Sequence, residues 1–212
     1  MSETSGGNRL DRRKARTRSA LIDAACQLLA TPKGTEASIS DITDLADVGL
    51  GSFYNHFTSK SELFDAAIAE MLELHGRLFD ETTAGLADPA EVFAAGVRMS
   101  VRLSATHPRV AQTISQVGFQ YLDSADGLAP RAYRDLAEAT ESGRLDIDDL
   151  AAALSYTAGS LLGCLHMLAR DPSLDADSVA NHLAASLLRM FGLSKEEATE
   201  VSRRPLIQPT LG

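Results

Sequence analysis

The sequence contains few cysteines and few aromatic residues, and both shortages exclude classes of protein. Cys26 and Cys164 are its two cysteines, and neither has a CxxC partner or a histidine at ligand spacing, so a disulfide scaffold and a zinc site are not indicated. Tryptophan is absent and aromatic residues make up 5% of the chain, which argues against an aromatic cage for a cation. We therefore expect a protein of the reducing cytoplasm that uses no metal and no cofactor.

Common catalytic motifs are also missing. We find no GxSxG, HExxH, GxxxxGK[ST] or GxGxxG, and the five histidines show no metal-ligand spacing. An enzyme is therefore not expected. The first twenty residues contain no apolar segment, so a secretory signal is not supported. With 44% hydrophobic residues, 7 prolines and 15 glycines, the 212-residue chain has the composition of an ordinary globular protein that buries a core.

Charge is unevenly distributed along the chain. The net charge is -9, which by itself disfavours a polyanionic partner. Residues 1–20, however, carry six basic and two acidic side chains, so the acidic excess lies in the rest of the chain. A basic start on an acidic body is either a solvated tail or an arm that touches phosphate, and charge alone leaves both open.

One long run without charge, residues 150–169, has the length of a membrane span. It includes Gly159 and Gly163, a spacing that lets helices approach closely. Its serines, its histidine, its many alanines and its acidic flanks argue against a bilayer. We therefore favour a helix that is apolar nearly all round and is buried in a core or against another subunit.

Apolar residues recur at intervals of three and four over most of the chain, which predicts an all-α fold. Caps, prolines and glycines place the helix ends. The predicted helices are 13–30, 39–46 with Ser38 or Ser40 as cap, 51–57, 59 or 61 to about 85, 89–107, 108–122, 128 or 130 to about 143, 150–170, and 175 or 177 to about 191. No alternating β pattern and no internal repeat is present.

Two short helices separated by the tight turn Asp47-Val48-Gly49 follow a longer first helix, which is typical of a helix-turn-helix unit. The second short helix of such a unit lies in the DNA major groove. Its first residues must be small or polar so that the backbone comes close, and hydrogen-bonding side chains must follow. Leu50-Gly51-Ser52 and Tyr54-Asn55-His56 meet this requirement.

The stretch SISDITDLADVGLGSFYNHFTSKSELF, residues 38–64, resembles the DNA-binding domain of the tetracycline-repressor (TetR) family of transcription regulators. The family's Gly-Thr/Ser-Phe-Tyr-x-His-Phe followed by Ser-Lys-x-x-Leu is matched from Gly51 to Leu63. Two positions depart from the family pattern. Asp47 stands where a glycine is usual, and a left-handed turn tolerates it. Gly49 stands where a serine is frequent, so a hydroxyl contact is missing.

The resemblance implies a set of DNA contacts. Phosphates would be held by Ser38, Tyr54, His56 and Lys60. Base edges would be faced by Leu50, Ser52 and Asn55, and Gly51 would let the backbone approach. Gly49 is included among the DNA-binding positions, although the hydroxyl that usually makes the contact there is absent. The basic segment with Arg13 and Arg16 would add backbone or minor-groove contacts.

The resemblance also implies a second, larger domain that binds a small effector and forms a homodimer. We expect a flexible basic arm over residues 1–12, the helix-turn-helix domain over 13–60, the ligand-binding and dimerisation domain over 61–203 and a loose tail over 204–212. The effector residues expected are Met99, Gln116, Phe119, Gln120, Tyr156 and His166. The dimer residues expected are Ala158, Gly159, Leu162, Gly163, Leu183 and Leu187, with an intramolecular core as the alternative.

Taken together, these features predict a ligand-responsive transcriptional regulator, most simply a repressor, that binds a palindromic operator as a homodimer. A small, mostly apolar effector would release it. The alternative is a helical adaptor or a membrane-docked protein that does not use its helix-turn-helix on DNA.

Overall fold

The computed structural model describes residues 5–31, 33–106, 108–118 and 128–206, and these residues form helices with no β-strand among them. In chain order the helices are α1 (Ser5–Leu29), α2 (Ile39–Leu45), α3 (Leu50–Tyr54), α4 (Lys60–Thr83), α5 (Pro89–Thr106), α6 (Pro108–Val117), α7 (Leu128–Glu141), α8 (Leu150–Arg170), α9 (Ala176–Met190) and α10 (Lys195–Val201). The all-α prediction is confirmed.

The chain divides into two compact units, residues 1–70 and 71–212. The division falls inside α4, later than the boundary expected after residue 60, because the first turns of α4 carry core residues of the first unit. Leu63, Phe64 and Ala67 are all buried there.

The first unit is built around one apolar cluster that joins α1, α2, α3 and the start of α4. Its fully buried members include Leu21, Ile42 and Phe53, which come from the three helices that precede α4. A turn of 3₁₀ helix, Gly34–Glu36, connects α1 to α2. A side chain at Gly34 would collide with the backbone carbonyl of Leu28, so the turn can pass this close to the end of α1 only with glycine.

The second unit has α5 near its centre, in contact with α6, α7, α8, α9 and α10. Its main apolar cluster draws residues from α5, α7, α8, α9 and α10. Phe93 of α5 and Phe191 at the end of α9 meet edge to face with ring centroids 5.7 Å apart. The predicted cap of α9 is confirmed at Asp175, whose carboxylate accepts from the backbone N–H groups of Asp177 and Ser178.

Two helix ends differ from the prediction. The first helix begins at Ser5, so residues 5–12 of the expected arm are helical. The third helix ends at Tyr54, because Phe57 leaves the helical path to pack in the core, where it is 2% exposed. The predicted end of the sixth helix, residue 122, lies outside the described residues.

The chain after α9 was not expected to be ordered by a helix, yet α10 occupies residues 195–201. Its cap is Ser194, whose hydroxyl accepts from the Glu197 N–H at 3.1 Å. The spacing Ser194-x-x-Glu197 is a known helix-start signal that the sequence analysis overlooked. The expected loose tail needs a correction at its first residue. Arg204 bonds to Asp88 at 3.1 Å and to Glu91 at 2.7 Å, so its side chain is fixed to α5 and to the residue that precedes it.

Candidate nucleic-acid interface and effector cavity

The helix-turn-helix has the local geometry that the sequence predicts. Ser38 caps α2, with its hydroxyl accepting from the Asp41 N–H while the Asp41 carboxylate accepts from the Ser38 N–H. The Ser38 hydroxyl also donates to the Asp41 carboxylate at 2.7 Å, and this bond together with the one from the Ser38 N–H holds the pKa of Asp41 below its usual value. Asp47 adopts a left-handed conformation with φ of 53°, as expected for the turn.

The surface of α3 is open within this chain. Leu50 is 52% exposed and Tyr54 is 59% exposed, whereas Phe53 between them is fully buried. A side chain at Gly49 or Gly51 would meet no atom within 4 Å. Packing inside the chain therefore does not require glycine at either position. The remaining predicted α3 contacts are also accessible, with Asn55 exposed and Ser52 and His56 half-buried.

Sequence reasoning missed one further exposed apolar residue of this unit. Leu45, the last residue of α2, is 48% exposed, close to the values of Leu50 and Tyr54. Large exposed apolar side chains on one face indicate an interaction surface. No sequence signal separates Leu45 from the core leucines, because only the crossing of α2 and α3 decides which side of α2 is covered.

Lys60 has a structural role that the motif does not reveal. Its ammonium group donates to the carbonyl oxygen of Thr35 at 2.9 Å and to that of Ala37 at 3.0 Å. It also lies 5.7 Å from the centroid of the Phe64 ring. Lys60 therefore fixes the segment before α2 to the start of α4, and one N–H remains for a phosphate.

The basic residues of α1 are placed differently from one another. Arg13 and Arg16 are exposed, as phosphate contacts require. Arg18 instead stacks its guanidinium over the Phe57 ring, 5.2 Å from the centroid, and so covers the core.

The second unit contains a cavity of about 70 Å³ between α4, α5, α6, α7 and α8. The residues that line it are Phe79, Phe93, Gly96, Val97, Ser100, Ile114, Gly118, Ala129, Ala132, Asp135, Leu154, Thr157, Ala158, Leu161, Leu162 and Leu165. Almost all of the wall is apolar. Gly96 is required here, because a side chain at this position would press on the Phe79 ring.

Asp135 of α7 is the charged residue of this wall, and its side chain is 5% exposed. Oδ1 accepts from Arg134, at 3.1 Å from Nε and 2.9 Å from one terminal nitrogen. Oδ2 is buried and has no hydrogen-bond partner. Burial raises the pKa of Asp135, and the pair with Arg134 opposes the rise.

The three described residues that were expected to bind the effector do not line the cavity. Met99 accepts a hydrogen bond from Thr82 instead, and Tyr156 and His166 are exposed. On α8 the lining residues follow a ridge from Leu154 to Leu165, and Tyr156 and His166 lie off that ridge. Phe119, Gln120 and the side chain of Gln116 lie outside the described residues.

The residues expected at the dimer interface differ in where they lie. Gly163 is exposed with open space around it, and Gly159 and Leu183 are half-buried. Ala158 and Leu162 line the cavity. Leu187 is a correction, because it is 1% exposed in the core of its own chain and has no surface to offer a partner.

The described residues also include no metal-binding cluster and no reactive thiol. Among the described residues no group of three or more histidine, cysteine, aspartate or glutamate side chains could hold a metal ion. Burial raises the pKa of Cys26 to about 12 and also raises the pKa of Cys164, so both thiols stay protonated at neutral pH.

A short helix with an open face in a helix-turn-helix unit, together with an all-helical second unit in the same chain, defines a helix-turn-helix regulator. The family model of bacterial regulatory proteins of the tetR family matches residues 21–67, and the tetracyclin repressor-like C-terminal domain model matches residues 88–204. The chain belongs to the tetracycline-repressor family of transcription regulators.

Individual relatives agree with this assignment. The chain is 34% identical to RolR in its crystal structure without ligand, with a TM-score of 0.73 over 90% of this chain and 98% of that one. RolR in complex with resorcinol gives 32% identity and a TM-score of 0.66 over 92% and 97% of the two chains. The probable acrEF/envCD operon repressor of Escherichia coli K12 is 24% identical over 195 residues, 83% of this chain and 87% of the relative.

Helix α8 is long and apolar enough to cross a membrane by length and composition alone. Four of its residues, Ala153, Thr157, Leu165 and Leu168, are nevertheless buried in the second unit. Helix α8 therefore packs one face against the second unit and leaves its remaining residues partly or fully exposed in the single chain.

Proposed function

We propose that the protein is a repressor that binds a palindromic operator as a homodimer and is released by a small, mostly apolar effector. The observation that carries the proposal is the open face of α3, where two glycines have no packing reason to be glycine. A surface that must accept the backbone and base edges of DNA is built in this way.

A dimer follows from the size of the reading surface. One five-residue helix touches few base pairs, whereas two such helices about 34–36 Å apart enter successive major grooves of a palindrome. The face of α8 that carries Tyr156, Gly163 and Met167 is exposed in the single chain, and we place the subunit contact there. Glycine on this face lets two helices pack closely.

The effector is proposed to occupy the cavity of the second unit. RolR, the relative described above, has been solved with resorcinol, a single aromatic ring with two hydroxyl groups. The cavity of about 70 Å³ is smaller than the ~150 Å³ apolar cavity that holds benzene in another protein. We therefore propose a ligand no larger than one ring, and some widening of the cavity when it binds.

Release requires that the effector bind one conformation better than the other. A ligand with equal affinity for the DNA-binding state and the released state shifts neither population. The cavity wall includes Phe79 of α4, the helix that also contributes Leu63 and Phe64 to the core of the DNA-binding unit. Expansion of the cavity would thus act on α4 directly.

Operator binding tests the proposal. A palindromic site is selected from random DNA and its affinity is measured by fluorescence anisotropy at several salt concentrations. We expect salt-dependent binding, and release of the site by resorcinol or a related phenol. Failure to select any palindrome would overturn the proposal.

Two variants separate the roles of Asn55 and Lys60. Asn55→Ala should cost about 1–3 kcal/mol and relax the preference at one base pair. Lys60→Ala should weaken binding to all sequences and reduce the salt slope by roughly one. Because Lys60 also holds the segment before α2, its variant should unfold more easily, and Lys33→Ala is the control that removes an exposed charge nearby.

A further inference from the structure

Asp135 Oδ2 is the buried side-chain atom that lacks a partner among the residues that the structure describes. A buried carboxylate oxygen without a hydrogen bond is unfavourable, and native proteins seldom keep one without a use. Here the oxygen belongs to a side chain in the wall of a cavity, on an otherwise apolar surface. This placement is typical of a polar group that fixes the orientation of an apolar ligand.

The hydroxyl groups of the wall already donate hydrogen bonds to backbone carbonyl oxygens. Thr157 donates to the carbonyl oxygen of Ala153 at 2.8 Å, and Ser100 donates to that of Gly96 at 2.8 Å. Both are hydrogen bonds within a helix and leave Asp135 without a donor. The described hydroxyl groups of the wall therefore supply no donor to Oδ2, which leaves that role open to a molecule inside the cavity.

We propose that Asp135 Oδ2 accepts a hydrogen bond from a hydroxyl group of the effector, which is a small, uncharged, single-ring or similarly sized alcohol or phenol. This inference rests on the proposed function only in taking the cavity as the effector site. The hydroxyl group would satisfy Oδ2 while the ring packs against Phe79, Phe93 and the leucines of α8.

An uncharged donor fits better than an ammonium group. The Arg134 guanidinium already balances the Asp135 carboxylate at 2.9 Å, so a second cation would be repelled by it. An ammonium group would also lose its hydration in a wall that offers few other polar atoms. The pair with Arg134 thus leaves a hydrogen-bond acceptor but little net negative charge.

Three probes of similar size test the proposal on the full chain by isothermal titration calorimetry. They are phenol, toluene, which lacks the hydroxyl, and benzylamine, which is cationic at neutral pH. We expect phenol to bind at least about tenfold more tightly than toluene, as expected when a buried acceptor is either satisfied or left unpaired. Benzylamine should bind more weakly than phenol.

Substitutions at Asp135 test whether this residue causes the preference for phenol over toluene. Asp135→Leu should bind toluene better than phenol, and Asp135→Asn, which keeps an acceptor oxygen and similar size, should retain part of the preference. Circular dichroism checks that each variant is folded. If Asp135→Leu is unfolded, Asp135→Asn alone is compared with the native protein. Glu138→Gln is the control, because Glu138 is an exposed carboxylate of the same helix outside the cavity.

The outcomes are distinct. Equal affinity of the native protein for phenol and toluene, no binding of either, tighter binding of benzylamine, or equal loss of both probes in the Asp135 variants would each overturn the inference. Operator binding is measured separately without ligand. If it fails while the phenol preference depends on Asp135, the proposed function is wrong and the hydroxyl site stands.

Discussion

Arg98 on α5 donates a hydrogen bond from its guanidinium to the backbone carbonyl oxygen of Arg204, at 2.7 Å. The same guanidinium donates to the side-chain oxygen of Asn181 on α9 at 2.7 Å. Arg98 is 8% exposed, so these bonds lie in the interior of the second unit. One buried arginine thus joins α5, α9 and the segment after α10.

Replacement of Arg98 should destabilise the protein. Arg98→Met would leave the Asn181 and Arg204 oxygens without their donor, and we expect a loss of about 2–4 kcal/mol in the free energy of unfolding. Urea titration at fixed protein concentration measures it. Arg203→Met is the control, because Arg203 is exposed and adjacent in sequence. Equal stability of the two variants would mean that the buried bonds contribute nothing.

Gly51 on α3 should be needed for DNA and not for folding. Gly51→Leu should fold as well as the native protein or better, by up to about 1 kcal/mol, because leucine is the stronger helix former. Its side chain would occupy space that meets no atom in this chain, so operator affinity should fall at least about tenfold. Anisotropy titration measures the affinity. Ala105→Leu on α5 is the control, and native affinity in the Gly51 variant would remove this residue from the interface.

Gly163 on α8 should be needed for subunit pairing. No atom lies within 4 Å of a side chain placed there, so Gly163→Leu should leave the single chain folded. In a close helix-helix contact the added bulk would separate the subunits. Analytical ultracentrifugation should show monomer where the native protein shows dimer. An unchanged mass would exclude this part of α8 from the interface, and the Ala105→Leu control should remain dimeric.

Asp135 should make the stability of the native protein depend on pH. Burial raises its pKa in the folded state above the ordinary value of 3.8, with Glu138 and Asp80 also raising it and Arg134 lowering it. A raised folded pKa means that Asp135 costs no stability below the unfolded pKa and costs progressively more as the pH rises through the folded value. Relative to Asp135→Asn, the native protein should therefore lose stability as the pH rises above about 4, the pKa of an aspartate in the unfolded chain.

Urea titrations of both proteins across this pH range test the expectation. Glu141→Gln is the control, because Glu141 is an exposed carboxylate of the same helix and is not among the groups that shift the pKa of Asp135. A stability difference between the native protein and Asp135→Asn that is independent of pH would contradict it. Bound phenol should reduce the difference at neutral pH, because its hydroxyl would stabilise the ionised carboxylate.

The sequence predicts only part of the candidate site, and the roles of the remaining residues escape it for one common reason. Asp135 lies in α7, and its sequence context Arg-Asp-Leu is that of an exposed acidic residue. Lys60 looks like a phosphate ligand until its carbonyl partners at Thr35 and Ala37 are known. In each case the partner or the cavity is supplied by another element, so no local pattern contains the information.

The sequence by itself determined the helices, the capped start of α2 at Ser38 and the left-handed turn at Asp47, because helix periodicity, caps and turn conformations depend on residues a few positions apart. Tertiary structure alone decided that Leu187 is buried, that Leu50 and Tyr54 are exposed, and that Asp135, whose Oδ2 has no partner among the described residues, lines an apolar cavity. Those outcomes depend on which helix faces meet, and residues far apart in the chain settle that together.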